Sequence, residues 1–231
     1  MEIDLANILY QVSIWLLPVI TAITLHEAAH GWVAWKLGDD TAKQLGRVTF
    51  NPLKHIDRFG TVILPAMLLL MQALFLFGYA KPVPVNFRRL HKPQRDMIWV
   101  AAAGPGINLV MAFVAALLMH VVIYLPQEVA AWVFYNLHNA LLLNVILAVF
   151  NMFPLPPLDG GRVLTGLLPV SLAVPFARIE RYGMLIIIAL IALPPLIGAQ
   201  IGADLSVLRW ILLPPVEYVI DVVLMLAGQG N

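Results

Sequence analysis

The chain has 231 residues, of which 61% are hydrophobic and 12% are charged, with a formal net charge of +1 and no cysteine. Soluble globular domains carry about 45–50% apolar and about 25% charged residues, so this composition excludes an ordinary cytosolic globule and an intrinsically disordered chain. The near-neutral charge provides no basic field for nucleic acid, and the lack of cysteine excludes disulfide scaffolds, thiol nucleophiles and thiolate-bound zinc.

The apolar stretches predict an all-α integral membrane protein with about five to six apolar helices. The predicted membrane-crossing segments are 5–37, 98–124, 129–150 and 183–198. We read the first as a retained span, not a signal peptide, because the chain opens with acidic rather than basic residues. Residues 205–227 form a further apolar segment, broken by two prolines, which either spans the membrane or lies on its surface.

Two stretches between the first spans have a different character. Residues 45–50 carry strand-like side chains ahead of the turn signal Asn51-Pro52. Residues 81–86 contain two prolines, which exclude a helix and favour an extended chain. Together they predict a small extended or β element.

The basic residues predict an orientation in the membrane. Lysine and arginine collect in 43–58, 81–95 and 162–181, whereas the turn at 124–129 has none. The positive-inside rule places the basic stretches in the cytoplasm and the turn outside. A single crossing by the apolar segment 61–79 would put 81–95 outside, so this segment is predicted to be re-entrant. A true span that leaves some basic residues outside is the alternative.

The sequence His26-Glu27-Ala28-Ala29-His30 lies inside the first predicted span. Residues four apart share one face of a helix, so both imidazoles can reach one metal ion, with Glu27 beside it as a base. The alternative is a pair of buried histidines bonded to neighbouring carbonyls. Ionisable groups inside a membrane are costly and usually functional, and this favours the metal site.

A catalytic zinc takes three protein ligands and keeps one position open. Without cysteine, the third ligand is His, Asp or Glu, and Asp159 is the foremost candidate because it follows the inward end of a predicted span. A helix N-cap is its alternative role. Two neutral imidazoles and the carboxylates of Asp159 and Glu27 sum to minus two, which one divalent ion cancels. The set also suits iron(II), and zinc is preferred because the helical H-E-x-x-H places a base next to a Lewis acid.

The chemical roles follow from this arrangement. Zinc polarises the scissile carbonyl and activates water, and Glu27 passes the water proton to the leaving amine. Asn151, eight residues before Asp159, is a candidate donor to the developing oxyanion. A helix C-cap is its equal alternative.

The chain resembles the site-2 protease family of intramembrane zinc metalloproteases, in the compact prokaryotic form without a PDZ or CBS domain. The matching stretches are the His26 to His30 motif, the run Gly104-Pro105-Gly106-Ile107-Asn108, and the proline-rich segment 151–161. They cover roughly residues 8–168. In the family the second run packs beside the active site, and a close helix contact through small residues is the alternative reading.

The resemblance implies that His26, His30 and Asp159 bind one zinc ion, that Glu27 is the general base, and that Asn151 assists the oxyanion or holds substrate. The implied activity is hydrolysis of peptide bonds in or near transmembrane helices of membrane protein substrates within the bilayer, in regulated intramembrane proteolysis. A non-proteolytic metal-binding protein or transporter is one alternative, although the sequence lacks the internal repeat that transporters often show. A metal hydrolase acting on a lipid or small molecule is another.

We expect a single polytopic domain over 1–231, with a catalytic core at about 8–168 and C-terminal helices at about 180–227. The expected location is the cell membrane, as a multi-pass protein whose active site lies toward the cytoplasm.

Overall fold

The computed structural model describes residues 5–63, 81–206 and 208–230, together with Met67. The α-helices in these ranges are α1 (Leu5–Lys36), α2 (Thr41–Gln44), α3 (Pro93–Met119), α4 (Gln127–Asn151), α5 (Asp159–Leu167), α6 (Val170–Ala177), α7 (Glu180–Ile201) and α8 (Leu213–Leu226). Short 3-10 turns lie at Pro52–Lys54, Phe87–Arg89 and Val122–Tyr124, and π-helical turns at Arg58–Ile63 and Leu208–Leu212.

Four helical segments are long and apolar enough to cross a membrane: Ala6–Lys36, Pro93–Tyr124, Gln127–Asn151 and Glu180–Ile201. They correspond to the four membrane-crossing segments predicted from the sequence, and the protein is a multi-pass membrane protein. Helix α8 has 14 residues, about 21 Å of helix, which is shorter than the roughly 30 Å hydrocarbon core. It packs against α3 and α4 through Val216 and Val223.

Helices α3 and α4 pack closely through small side chains. Ala112, Ala115 and Ala116 of α3 are buried against Leu141 and Val145 of α4. In a bilayer the lipid tails are as apolar as the protein, so helices associate where small residues let their backbones approach. The alanine-rich face of α3 therefore explains why this pair forms the centre of the bundle.

Helices α1 and α3 run antiparallel. The His91 N–H donates to the Leu37 carbonyl (2.9 Å) at one end of the pair, and the Asn108 amide lies 3.4 Å from the Ala22 carbonyl further along it. The end of α1 and the start of α3 therefore lie on the same side of the bundle. The segment 61–79, predicted to be re-entrant, lies outside the described residues except for 61–63 and Met67.

The expected β element is not found in the described part of the chain, where no residue is in a β strand. Gly46 has a φ of +64°, in the left-handed region, and the chain turns there after α2. Arg47 then directs its guanidinium to the Lys81 carbonyl (2.6 Å), so residues 45–50 form a turn and bends. Residues 81–86 are extended, as their prolines predicted, but they have no ladder partner among the described residues. The prediction of a β strand was therefore wrong here, and that of an extended segment was confirmed.

Candidate metal centre

His26 and His30 project from one face of α1, one helical turn apart. Both residues are buried, with 8% and 9% of their surface exposed, and their Nε2 atoms lie 3.1 Å apart. Gly104 of α3 lies against both rings, because a Cβ there would come within 2.6 Å of two His26 ring atoms and would also collide with His30 Nε2. Glycine at this position therefore leaves the space that the two imidazoles occupy.

Asp159 joins the two histidines from the first turn of α5. Its Oδ2 lies 3.2 Å from His26 Nε2 and 3.3 Å from His30 Nε2, and the side chain is buried. One ligand atom from each of the three residues lies within 4.8 Å of the others. The structure thus brings together the three residues that the sequence analysis nominated as metal ligands.

Three glycines allow the proline-rich loop to place Asp159. A Cβ on Gly160 or on Gly161 would collide with the backbone of the loop 152–158, which folds back over the first turn of α5. Gly183 of α7 faces the same loop and leaves room for it in the same way. The carboxylate is thereby held at the N-terminus of α5, where the helix dipole favours a negative charge.

Hydrogen bonds on the far side of each ring determine where its proton lies. The His30 Nδ1 atom is 2.7 Å from the Val100 carbonyl oxygen, and the His26 Nδ1 atom is 2.5 Å from Asn108 Oδ1. A carbonyl oxygen only accepts, so each Nδ1 carries a proton and donates it. In a neutral imidazole with its proton on Nδ1, Nε2 carries the lone pair, and both Nε2 atoms face the carboxylate.

Three electron-pair donors therefore face one another in a buried space. With neither Nε2 protonated, Asp159 Oδ2 has no hydrogen-bond donor within the described residues. Such a set repels itself unless a cation lies among its members. Two imidazole nitrogens and one carboxylate oxygen are the ligand types of catalytic zinc, so these residues fit a zinc ion.

Glu27 lies beside this cluster and is held by a backbone group. Its Oε2 accepts a hydrogen bond of 2.7 Å from the Val83 N–H, in the extended segment 81–86, which we call the strap. The buried Asp39 anchors the far end of the strap, where its Oδ2 accepts from the Asn86 N–H (2.6 Å). The strap therefore fixes the Glu27 carboxylate next to the candidate metal site.

Asn151 is the last residue of α4 and lines the same cavity as the cluster. Its Nδ2 donates to the Leu147 carbonyl of its own helix (2.9 Å). The structure therefore places Asn151 at the wall of the site with its amide group turned toward α4.

A cavity of about 490 Å³ opens onto these residues. Apolar residues of the strap, α4 and α7 form much of its wall. The polar part of the wall is formed by His26, Glu27, His30, Asn151, Asp159 and Arg162. A mostly apolar cavity of this size with a few convergent polar groups is typical of a substrate site and larger than an ion needs.

Some residues at the site are not found by sequence reasoning. Val83 and Val100 act through backbone groups, which no pattern of residue types reveals. Asn108 enters the sequence analysis only as the end of a packing run, and Asn144, which bonds to it, does not enter at all. The available signal was the presence of amide side chains inside predicted membrane spans, where polar groups are costly.

Comparison with known proteins identifies a family and several relatives of this chain. The profile of peptidase family M50 matches residues 119–194, which include Asn151 and Asp159. The chain is 39% identical over 182 residues to the Bacillus subtilis (strain 168) protein named "Putative zinc metalloprotease YwhC", covering 77% of this chain and 80% of the relative. It is 28% identical over 177 residues to the Mycolicibacterium smegmatis protein named "Putative zinc metalloprotease Rip2", covering 77% of this chain and 66% of the relative. No solved structure gives a significant match.

The length of the YwhC match and the buried group of two imidazoles and one carboxylate point to the same chemistry. The chain belongs to peptidase family M50, the site-2 protease family, and is an intramembrane zinc metalloprotease.

Proposed function

We propose that this enzyme cuts peptide bonds in or near transmembrane helices of other membrane proteins, in regulated intramembrane proteolysis. His26, His30 and Asp159 bind one zinc ion, Glu27 is the general base, and Asn151 assists at the carbonyl oxygen. The observation that carries the proposal is the convergence of two Nε2 atoms and one carboxylate oxygen within 3.3 Å of one another, in a cavity large enough for a peptide.

When bound, zinc would supply a Lewis acid that polarises the scissile carbonyl and makes water more acidic. Glu27 performs the proton transfer. Its Oε2 is held by the Val83 N–H, so Oε1 is the oxygen that takes a proton from the attacking water and delivers it to the departing amine. Because the bond to Val83 already orients the carboxylate, little rearrangement is needed when the proton moves.

Asn151 acts on the negative charge that develops on the carbonyl oxygen. To do so, its Nδ2 exchanges the bond to the Leu147 carbonyl for one to the substrate. A neutral hydrogen bond contributes about 1 kcal/mol net, whereas a donor aimed at a developing oxyanion is worth about 10²–10³ in rate. The exchange is therefore favourable in the transition state.

A substrate helix must unwind locally, because its amides are otherwise bonded within the helix. An extended segment can hold the unwound stretch by main-chain pairing. In the strap, the Val83 N–H bonds to Glu27 and the Lys81 carbonyl to Arg47, so these groups serve to hold the site. Val85, which also lines the cavity, is the strap residue that we propose for pairing with substrate.

We also propose that the active site lies inside the bilayer and faces the cytoplasm. Leu37 and His91 lie at the same end of α1 and α3, so the basic connection between them begins and ends on one side, which the positive-inside rule makes cytoplasmic. His26 and His30 lie about 9–15 Å along α1 from Lys36. This depth supports a site in the cytoplasmic half of the cell membrane.

The chain forms one polytopic domain over 1–231, in this proposal, with the catalytic core at about 8–168 and C-terminal helices at about 180–227. Contacts of the C-terminal end support this view. His120 donates from Nε2 to the Ala227 carbonyl (2.7 Å), which joins the end of α8 to the end of α3. Residues beyond the core therefore pack on the bundle that carries the site.

The test is the variant Glu27→Gln, which keeps the size and the acceptor oxygen of the side chain and removes its ability to take a proton. Membranes from cells that carry the wild type or the variant are compared by mass spectrometry for fragments cut within transmembrane helices. We expect the fragments to be lost while zinc content stays at one per chain, because general bases contribute about 10²–10⁴ in rate.

Glu128→Gln is the matched control, since Glu128 is exposed in the first turn of α4, at the opposite end of that helix from Asn151. It should leave both the fragments and the zinc unchanged. An unaltered fragment pattern in Glu27→Gln, with zinc bound, would contradict the proposed role of Glu27 and the proteolytic mechanism.

A further inference from the structure

A line of amide side chains connects His26 to helix α4. Asn108 of α3 bonds to His26 Nδ1 on one side, and on the other its Nδ2 donates to Asn144 Oδ1 (2.6 Å). Asn144 Nδ2 donates in turn to the Ala140 carbonyl of its own helix (2.8 Å). Both asparagines are fully buried, with 0% of their surface exposed.

The backbone at the end of this line determines the direction of every hydrogen bond in it. The Ala140 carbonyl only accepts, so the Asn144 group facing it is the NH2 and the group facing Asn108 is the oxygen. Asn108 must then present its NH2 to Asn144, with the Ala22 carbonyl as a more distant second acceptor (3.4 Å), and its oxygen to His26. His26 Nδ1 must therefore carry a proton, and in the neutral ring His26 Nε2 is then free of one.

The second imidazole reaches the same state by a shorter route. His30 Nδ1 donates directly to the Val100 backbone carbonyl (2.7 Å), so no side chain sets its tautomer. His26 is one turn further from the end of α1, and its tautomer depends on the two amides of Asn108 and Asn144. An asparagine can be turned over at no cost to its shape, and only its neighbours decide which end faces the ring.

We propose that Asn108 and Asn144 are positioning residues that hold His26 in the tautomer able to bind zinc, with Asn144 acting through Asn108. This inference rests on the proposed function, because it takes His26 Nε2 to be a zinc ligand. Hydrogen bonds to the far nitrogen of a ligand histidine fix its ring and tautomer, and their loss typically lowers metal affinity about 10–100-fold.

Asn139 supplies the comparison that separates positioning from simple packing. It also lies on α4, is buried, and donates from Nδ2 to a backbone carbonyl of α1, that of Ile14 (3.1 Å). Its bond joins α4 to α1, whereas that of Asn144 joins α4 to α3, and it does not lead to the metal site. A purely structural role for Asn144 would make the two asparagines equivalent.

The experiment measures zinc affinity by chelator competition on the purified full chain in detergent. The variants are Asn108→Leu, Asn144→Leu, their combination, and Asn139→Leu as the control. We expect Asn108→Leu to weaken zinc binding about 10–100-fold and Asn144→Leu about tenfold, with Asn139→Leu near wild type. Because both residues act through one imidazole, the double variant should be no weaker than Asn108→Leu alone.

The absorption spectrum of the cobalt-substituted protein gives a second readout. We expect Asn144→Leu to change it and Asn139→Leu to leave it unchanged, since only the first alters the ligand field through His26. If Asn108→Leu does not fold, the comparison of Asn144→Leu with Asn139→Leu still tests whether Asn144 positions His26. Equal zinc affinity in Asn144→Leu and wild type, or additive losses in the double variant, would overturn the inference.

His26→Ala distinguishes failure of this inference from failure of the proposed site. If His26→Ala loses zinc and the asparagine variants do not, only the positioning role is wrong. If His26→Ala binds zinc as the wild type does, the proposed ligand set is wrong, and the inference is overturned with it.

Discussion

The substitution Gly104→Ala adds one methyl group at the closest contact between α3 and the candidate metal ligands. The added Cβ would lie 2.6 Å from both Cε1 and Nε2 of His26 and would also collide with His30 Nε2, whereas ordinary contacts are 3.4–4 Å. The methyl group sits on the backbone of a buried helix and cannot rotate away. The two rings must therefore retreat by about 1 Å.

This displacement should change the free energy of unfolding little and the affinity for zinc strongly. Overpacking of one methyl group costs about 1–3 kcal/mol, and replacing a helical glycine with alanine returns up to about 1 kcal/mol, so the free energy of unfolding changes little. Metal–ligand distances tolerate only about 0.2 Å. Moving a ligand should cost more than disturbing its hydrogen-bond partner, so we expect zinc affinity to fall at least about 100-fold.

The assay is zinc content and chelator competition on purified protein, with thermal unfolding measured in parallel. Gly106→Ala is the matched control, because a Cβ at that exposed position of the same helix has nothing within 4 Å. It should retain zinc and unfold at the same temperature or slightly higher. A folded Gly104→Ala protein with wild-type zinc affinity would refute the reasoning, since the rings could then bind metal from another position.

Three other substitutions test separate parts of the site. Asp159→Ala should abolish zinc binding, measured by metal analysis, because two imidazoles alone remain; a variant that keeps stoichiometric zinc would contradict this. Asn151→Ala should lower kcat about 10²–10³-fold with zinc content unchanged, and an unchanged kcat would leave Asn151 with a helix-terminal role only. Gly160→Ala should lower the unfolding free energy by about 1–3 kcal/mol or more, seen as a lower melting temperature, because its Cβ meets loop backbone that cannot move aside. An unchanged melting temperature would contradict that packing.

Hydropathy predicted the spanning helices but not their ends. Helix α3 begins at Pro93, whereas the apolar stretch begins at 98, because polar residues continue the helix beyond the apolar segment. Asp96 closes this first turn by accepting a hydrogen bond of 2.7 Å from the Lys92 N–H. A hydropathy pattern registers only which residues prefer lipid, so it ends where the side chains become polar.

The predicted β strand at 45–50 failed for a similar reason. Side chains with high β-propensity favour a strand only where a neighbouring strand is present to pair with it. Gly46 turns the chain instead, and the Arg47 side chain bonds to the strap. The prolines of the strap predicted its extended form correctly because they restrict the backbone directly, whatever the neighbours are.

The pairing of His26 with His30 was predictable because it is local. Four residues along a helix bring two side chains to the same face, and the rings are found there. The approach of Asp159 is not local, since it depends on the close packing of Gly160 and Gly161 under the proline-rich loop. The sequence alone could identify Asp159 as a candidate ligand but could not predict its position relative to the two imidazoles.

The surroundings of the three candidate ligands explain why the site calls for a cation and not merely a proton. The far nitrogen of each imidazole is already bonded, to Asn108 or to the Val100 carbonyl, and Glu27 is bonded to Val83. What remains at the centre is three lone pairs. A proton joins one donor to one acceptor and leaves the third atom unsatisfied, whereas a divalent ion binds all three and cancels the charges of both carboxylates. The hydrogen bonds around the site thus favour metal binding because they commit the ring protons elsewhere.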